Sequence, residues 1–239
     1  MSAISMTASN RSGIQNQRSL VPFALKTTMV DAGTNLTIQD ESTLANVATV
    51  TGTGVAQGST GPFRAPQGYW SMALSGAGGE GVGCYCPTAA NLATGTTADF
   101  TWECWILRSW QTSNLNCVAS IATGSNQVAL RFSNAGITAG FASNILAYTG
   151  PAFDPAAQAG KWVHIVFSRQ GGTTRFFING KLMVSATGDQ NNYNFSGVPA
   201  VVGQYNGAGS QEFIGYLSNL RIDIGAANYT AEAGHSVGS

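Results

Sequence analysis

"TRFFINGKLMVS", Thr174 to Ser185, sets two runs of strand-forming residues on either side of Asn179-Gly180. A two-residue type I′ turn needs positive φ at both central positions, and Asn followed by Gly meets that need at the least steric cost. The stretch therefore predicts a tight β-hairpin. Outward from it, the chain from "VPFALKTTMV" onward breaks into further short strand-like runs bounded by turn residues: "TNLTIQD", "NVATVTG", "YWSMALSG", "FTWECWIL", "CVASIATG", "VALRFSN", "KWVHIVFSR", "VPAVVGQ" and "FIGYLSNLRIDI". No segment of useful length carries a helical period, so this spacing predicts an all-β sandwich or barrel. In "DFTWECWIL", alternation puts Phe100, Trp102, Cys104 and Ile106 on one face and Thr101, Glu103 and Trp105 on the other. In "FIGYLSNLRIDI" it puts Ile214, Tyr216, Leu220, Ile222 and Ile224 together, with Asn219 and Arg221 opposite.

The 239 residues suffice for one large β domain with a substantial core, or for two small domains. Eleven basic and eleven acidic side chains cancel, and charged residues are only 9% of the chain. A neutral chain has no basic stripe, which excludes nucleic acid as the expected partner. Disorder is excluded because 44% of the residues are hydrophobic and spread along the chain, despite thirty glycines. Nowhere do about 18 apolar residues follow one another, so no membrane-spanning helix is expected. Residues 1–20 are polar and aperiodic and read as an arm without a secretory signal, so cytoplasmic synthesis is the expectation. Residues 21–232 form the domain, of which 21–68 supply leading strands and the Gly/Thr-rich loop "TGTGVAQGSTGPFRAPQG" (51–68); residues 233–239 are a tail. So low a charge content suits packing against copies of the same chain or a large assembly.

The four cysteines, Cys84, Cys86, Cys104 and Cys117, and the two histidines, His164 and His235, lack the spacing of a zinc site. Cys84 and Cys86 would share one face of a strand, too far apart to bridge. Cys104 and Cys117 could face each other across neighbouring strands, but a cytoplasmic origin predicts free thiols acting as small buried hydrophobes. No G-x-S-x-G elbow leads into a helix, so a nucleophilic triad is not expected. His164 reads as a packed strand residue with its nitrogens satisfied locally, and His235 as a solvent-facing tail residue. "GAGGEGVG" (76–83) lacks both the Lys-Ser/Thr pair and the helix of a phosphate loop, and reads as a turn. By pattern Trp102 and Trp162 belong to the core. Trp105 and Trp110 fall on the other face or at a hairpin tip, where outer aromatics could form a subunit contact.

Taken in order, "YWSMALSG", "GEGVGCYCP", "ADFTWECWI", "KWVHIVFSRQGGTTRFFINGKLM" and "VVGQYNGAGSQEFIGYLSNLRI" with "ANYTA" resemble the laminin-G-like, concanavalin A-like jelly-roll superfamily. In that family a D-F-T-x-E-x-W strand precedes a W-x-H strand ending in Arg. An F-Y-V-N-G-like hairpin, an I-G turn and an F-x-G-x-[IL]-x-x-[LV]-R-I strand follow. The match runs from about Thr34 to Thr230 and implies a two-sheet antiparallel jelly roll. The ending "LRIDIGAANYTA" and the entrance "TGPF…GYWSMALSG" are most similar to the variant found in tailed-bacteriophage virion proteins. That resemblance implies a non-enzymatic particle-surface protein, in capsid decoration or in the tail and fibre apparatus. Its implied partners are other virion proteins, with a homo-oligomer or multiple copies on the particle, after synthesis in the host cytoplasm.

Departures from the family bear on chemistry. Leu74-Ser75-Gly76 stands where relatives often read F-D-G, and the acids nearest candidate rim loops, Glu80, Asp154 and Asp189, are isolated in sequence. Calcium needs several oxygen ligands, so neither a metal nor another cofactor is expected. Glycoside hydrolases on this jelly roll carry an E-x-D-x-x-E-like run, since the reaction takes two carboxylates about 5–9 Å apart. No such run exists here. Glu103, alone between two tryptophans, reads as a structural strand acid, and no catalytic residue is expected.

Glycan binding is the alternative function. An aromatic ring under the apolar face of a sugar, with Asn, Gln or Asp at its hydroxyls, is the chemistry required. "GDQNNYNFSG" (188–197) offers Asp189, Asn191, Asn192, Tyr193 and Phe195 in one loop, and "GQYNGAGSQ" adds Tyr205 and Asn206. The same residues also read as a loop capping its own backbone, with Tyr193 and Phe195 covering the sandwich edge, or as a contact to a neighbouring virion protein.

Overall fold

The computed structural model describes residues 23–27, 38–40, 49–51, 55–58, 61–62, 71–75, 83–85, 99–108, 116–123, 126–133, 136–141, 146–148, 160–189, 200–205, 212–224 and 227–230. The arm (1–20) and the tail (233–239) expected from the sequence lie outside them. All regular structure among the described residues is strand. The first eight strands are β1 (Phe23–Thr27), β2 (Ile38–Asp40), β3 (Thr49–Thr51), β4 (Val55–Gly58), β5 (Ser71–Leu74), β6 (Gly83–Tyr85), β7 (Phe100–Arg108) and β8 (Asn116–Thr123). The second eight are β9 (Asn126–Ser133), β10 (Gly136–Phe141), β11 (Leu146–Tyr148), β12 (Trp162–Gln170), β13 (Thr173–Ile178), β14 (Lys181–Ala186), β15 (Ala200–Val202) and β16 (Gly215–Ile224).

They build two antiparallel sheets. The nine-stranded sheet runs β14-β13-β12-β7-β16-β1-β2, with β5 also on β16 and β4 on β5; the seven-stranded sheet runs β11-β10-β9-β8-β15-β6-β3. The leading residues thus feed both sheets. The stretch 51–68, expected to be loop, contains β4, which pairs with β5 from Val55↔Leu74 to Gly58↔Ser71.

The hairpin forms as its turn chemistry demands. Asn179 (φ 48°) and Gly180 (φ 78°) occupy the two positive-φ positions. The turn is also pinned sideways: the Asn179 N–H donates to the His164 carbonyl at 2.8 Å, and Asn179 Oδ1 accepts from the His164 N–H at 2.9 Å. A Gly-Gly turn of the same sign, Gly171 (φ 53°) and Gly172 (φ 76°), joins β12 to β13.

Phe100, Trp102, Cys104 and Ile106 are buried in the core as alternation predicts, beside Val163, Ile165 and Phe167 of the neighbouring strand. Phe100 and Phe167 meet edge to face, with ring centroids 5.2 Å apart. Two other alternations come out differently. Trp162 stands opposite Leu107, so it shares the outer face with Trp105 and does not belong to the core. Residues Val163 through Arg169 are all buried, so β12 is covered on both sides and its apolar pattern carries no sign of which face is which. In β16, Ser218 pairs with Trp105 and Arg221 with Glu103, leaving Asn219 and Leu220 opposite the single residue Cys104. Asn219 takes φ 51° to make this bulge. The inserted residue inverts the faces, so Leu217 joins Leu220 and Ile222 in the core, and Tyr216 moves outward opposite Leu107.

Candidate functional site

Beyond β16, residues 227–230 return across the outer face of the nine-stranded sheet. The Asn228 N–H donates to Thr101 Oγ1 at 2.9 Å, and Ser168 Oγ donates to the Tyr229 carbonyl at 2.8 Å. The Tyr229 ring lies 5.9 Å from Phe177 and 6.1 Å from His164. This strap covers Thr101, Ser168 and Asp223, which are buried.

Under the strap lies the densest polar cluster among the described residues. Glu103 Oε2 accepts from the Tyr229 hydroxyl at 2.6 Å and sits 3.2 Å from His164 Nε2. Glu103 Oε1 is 3.6 Å from Arg221 NH1, whose NH2 is 2.7 Å from Asp223 Oδ2. Asn228 Nδ2 donates to the same Asp223 oxygen. The His164 ring lies 5.0 Å from that of Trp105. Register makes the cluster, because Glu103 is in line with Val166 and Arg221, and Trp105 with His164 and Ser218.

Its electrostatics run against acid catalysis. Burial pushes the Glu103 carboxyl up, but hydrogen bonds from His164 and Tyr229 and the charges of His164 and Arg221 outweigh it, holding it below the ordinary glutamate range. A general acid needs the opposite shift, toward its working pH. Burial and the Glu103 charge keep the Tyr229 phenol protonated, well above its usual range. Asp223 is raised by burial, partly offset by Arg221. With both Glu103 oxygens engaged and its side chain only 13% exposed, the cluster is a clasp for the strap.

Of the residues singled out as a binding surface, Asn191, Asn192, Tyr193, Phe195 and Asn206 lie outside the described residues. Asp189 is described and is not a rim residue. Its Oδ2 lies 3.3 Å from Arg169 Nε, with both side chains 1% exposed. Its carbonyl accepts from Arg169 NH2 at 2.8 Å, and its N–H donates to the Gly172 carbonyl at 2.9 Å. A guanidinium this deeply buried requires an anion, and Asp189 is committed to that role.

Tyr205 is half-buried, with the Arg131 guanidinium carbon 5.1 Å from its ring centroid. Gly203 (φ 84°) donates to the Val118 carbonyl at 2.7 Å and accepts from the Phe213 N–H at 2.7 Å. These bonds hold residues 203–205 and 212–213 against β8. Cys117 of β8 bridges Glu212 on one side and pairs with Arg131 on the other, so the two charged residues flank it. Glu212 is half-buried, and its Oε1 is buried with no hydrogen-bond partner among the described residues. Neither Arg131 nor Glu212 was singled out from the sequence. The available signal was their rarity as charges in a chain that is 9% charged.

No group of three metal-ligating side chains occurs among the described residues. Cys104 and Cys117 are free and buried, and burial raises the Cys117 thiol to about 12.

Residues 79–226 match the family model described as the Concanavalin A-like lectin/glucanases superfamily. No curated protein matches the chain significantly by sequence. Among solved structures, the binding domain of botulinum neurotoxin serotype G superposes with TM-score 0.67 at 13% identity, covering 89% of this chain and 49% of that one. The binding domain of Paraclostridial Mosquitocidal Protein 1 gives TM-score 0.67 at 14% identity, covering 90% and 51%. Domain 4 of the extracellular arabinanase AbnA from Geobacillus stearothermophilus, in complex with arabinotriose, gives 0.59 at 17% identity, covering 91% and 96%. The chain therefore spans about half the length of the two toxin binding domains and nearly all of the arabinanase domain.

Proposed function

This chain belongs to the concanavalin A-like lectin/glucanases superfamily, and from that premise we propose that it is a non-enzymatic module acting through its surfaces. The observation that carries the reading is the closure of the Glu103–His164 pair beneath Tyr229. The cluster that most resembles catalytic machinery is occupied in holding down the chain's own strap. A chromogenic polysaccharide panel tests this, and turnover lost in Glu103→Gln would refute it.

The finer proposal is a bacteriophage virion surface protein, in capsid decoration or the tail and fibre apparatus, docked to other virion proteins in multiple copies. Its support is the ordered motif series and the ending "LRIDIGAANYTA", whose Asn228 and Tyr229 form the strap. Immunogold imaging of purified particles is the test. Label on the particle surface is expected, and a protein found only free in lysate would end this proposal.

A second reading, a carbohydrate-binding adhesion module, is favoured by the half-buried Tyr205 under Arg131. Superposition on toxin binding domains and on a domain holding arabinotriose is consistent with a recognition role. A glycan array with Tyr193→Ala and Tyr205→Ala separates the readings, since adhesion predicts binding that these variants lose.

A further inference from the structure

We propose that Asn179 is a latent deamidation site, which the folded β13–β14 turn protects and which any opening of that turn exposes to spontaneous cyclisation onto Gly180. The chemistry is that of an Asn-Gly pair. The Gly180 amide nitrogen attacks Asn179 Cγ and gives up its proton, and ammonia leaves to form a succinimide ring. Water then opens the ring at either carbonyl, giving aspartate or isoaspartate. Glycine favours the attack because no side chain shields its nitrogen. Asn179 is exposed, so water reaches the ring.

The fold opposes the first step. The β12–β13 register reaches Ile165↔Ile178, so the next pair in line is His164 with Asn179. Where an antiparallel ladder continues, two such residues exchange both backbone bonds. One of the two is made here, from the Asn179 N–H to the His164 carbonyl at 2.8 Å. The other goes to the side chain, because the His164 N–H donates to Asn179 Oδ1 at 2.9 Å. With φ at 48° the Asn179 carbonyl has turned into the hairpin, and the carboxamide oxygen stands in for it. The carboxamide is thereby held on the β12 side of β13, whereas Gly180 carries the chain to β14 on the opposite side. Cyclisation must first release the carboxamide, which strands the N–H of a buried residue, His164. An unpaired buried donor is costly enough to slow the step at least about tenfold. The two products differ in what they preserve. Aspartate keeps a side-chain oxygen for the His164 N–H and tolerates positive φ. Isoaspartate routes the main chain through the former side-chain carbon, and the added methylene is incompatible with a two-residue turn.

The experiment is peptide mapping by mass spectrometry after timed incubation of the full chain at neutral pH. The reference is the isolated peptide Thr174–Ser185 in the same buffer, whose two strands have no further strand to hold them. Asn179 should lose ammonia at least about tenfold more slowly in the folded chain than in the peptide. Urea above the unfolding midpoint should bring the chain's rate to that of the peptide. Equal rates in folded chain and peptide, or no change on unfolding, overturn the protection. The products are compared in an Asn206→Ala background, which removes the other Asn-Gly pair. Asn179→Asp should keep the urea midpoint of that background. Chain aged in urea, refolded and separated as its isoaspartyl form should show a lower one. A matching loss in Asn179→Asp, or no loss in the isoaspartyl form, overturns the anchoring by His164.

Discussion

Removing the Asp189 carboxylate should cost stability and leave surface recognition untouched. Arg169 is 1% exposed and keeps Asp189 as its ionic partner at 3.3 Å. Breaking a buried pair by deleting one member leaves an uncompensated charge and costs about 3 to 5 kcal/mol. In Asp189→Ala the 2.8 Å bond from Arg169 NH2 to the residue 189 carbonyl survives, because it belongs to the backbone. The lower end, about 3 kcal/mol, is therefore expected, a fall of more than about a hundredfold in the folded-to-unfolded ratio. With a urea m-value of about 3 kcal/mol/M for a chain of this size, the midpoint should drop by about 1 M. Urea melts followed by tryptophan fluorescence measure this directly. Arg169→Met should recover part of the loss in the Asp189→Ala background, because the stranded charge is then gone. A midpoint shift below about 0.3 M at unchanged m would refute the pairing.

Tyr229→Phe should lower stability by about 1.5 to 3 kcal/mol, the range for a hydrogen bond to a charged group, as read from urea midpoints. The pH dependence follows from Glu103, whose folded carboxyl lies below its unfolded value of about 4.3. Its contribution is complete above that value and lost as pH falls through the lower folded one. Glu103→Gln should accordingly flatten the acid limb of a plot of urea midpoint against pH. Asp223 is shifted the other way, so its contribution is present at low pH and lost as pH rises from about 3.9 toward its folded value. Asp223→Asn should therefore steepen that limb. In a Cys84→Ser/Cys86→Ser background, Cys104 and Cys117 should resist a thiol reagent at neutral pH, because both are buried with raised thiol pKa values. They should react once the chain is unfolded in urea. Gly180→Val should cost about 1 to 2 kcal/mol, because φ 78° is a conformation that a β-branched residue enters only with strain.

What the sequence disclosed and what it hid divide along the range of the interactions. Asn179-Gly180 was legible because a type I′ turn is a property of two adjacent residues. The buried face of β7 was legible because a strand with one polar side alternates. Trp162 was not, since the strap covers the outer side of β12 and leaves apolar residues on both faces. The bulge at Asn219 inverted the reading of β16 through one positive-φ residue that need not be glycine. The clasp joins Glu103 to residues 61 and 126 positions away, so no local pattern could reveal it. Asp189 misled for a related reason. Its neighbours in sequence are the Asn-rich loop, but its neighbour in space is Arg169, twenty residues back. In a chain with eleven positive and eleven negative side chains, each buried charge that finds a partner leaves few for recognition. Glu103, Arg221, Asp223, Arg169 and Asp189 are all used to fix the frame.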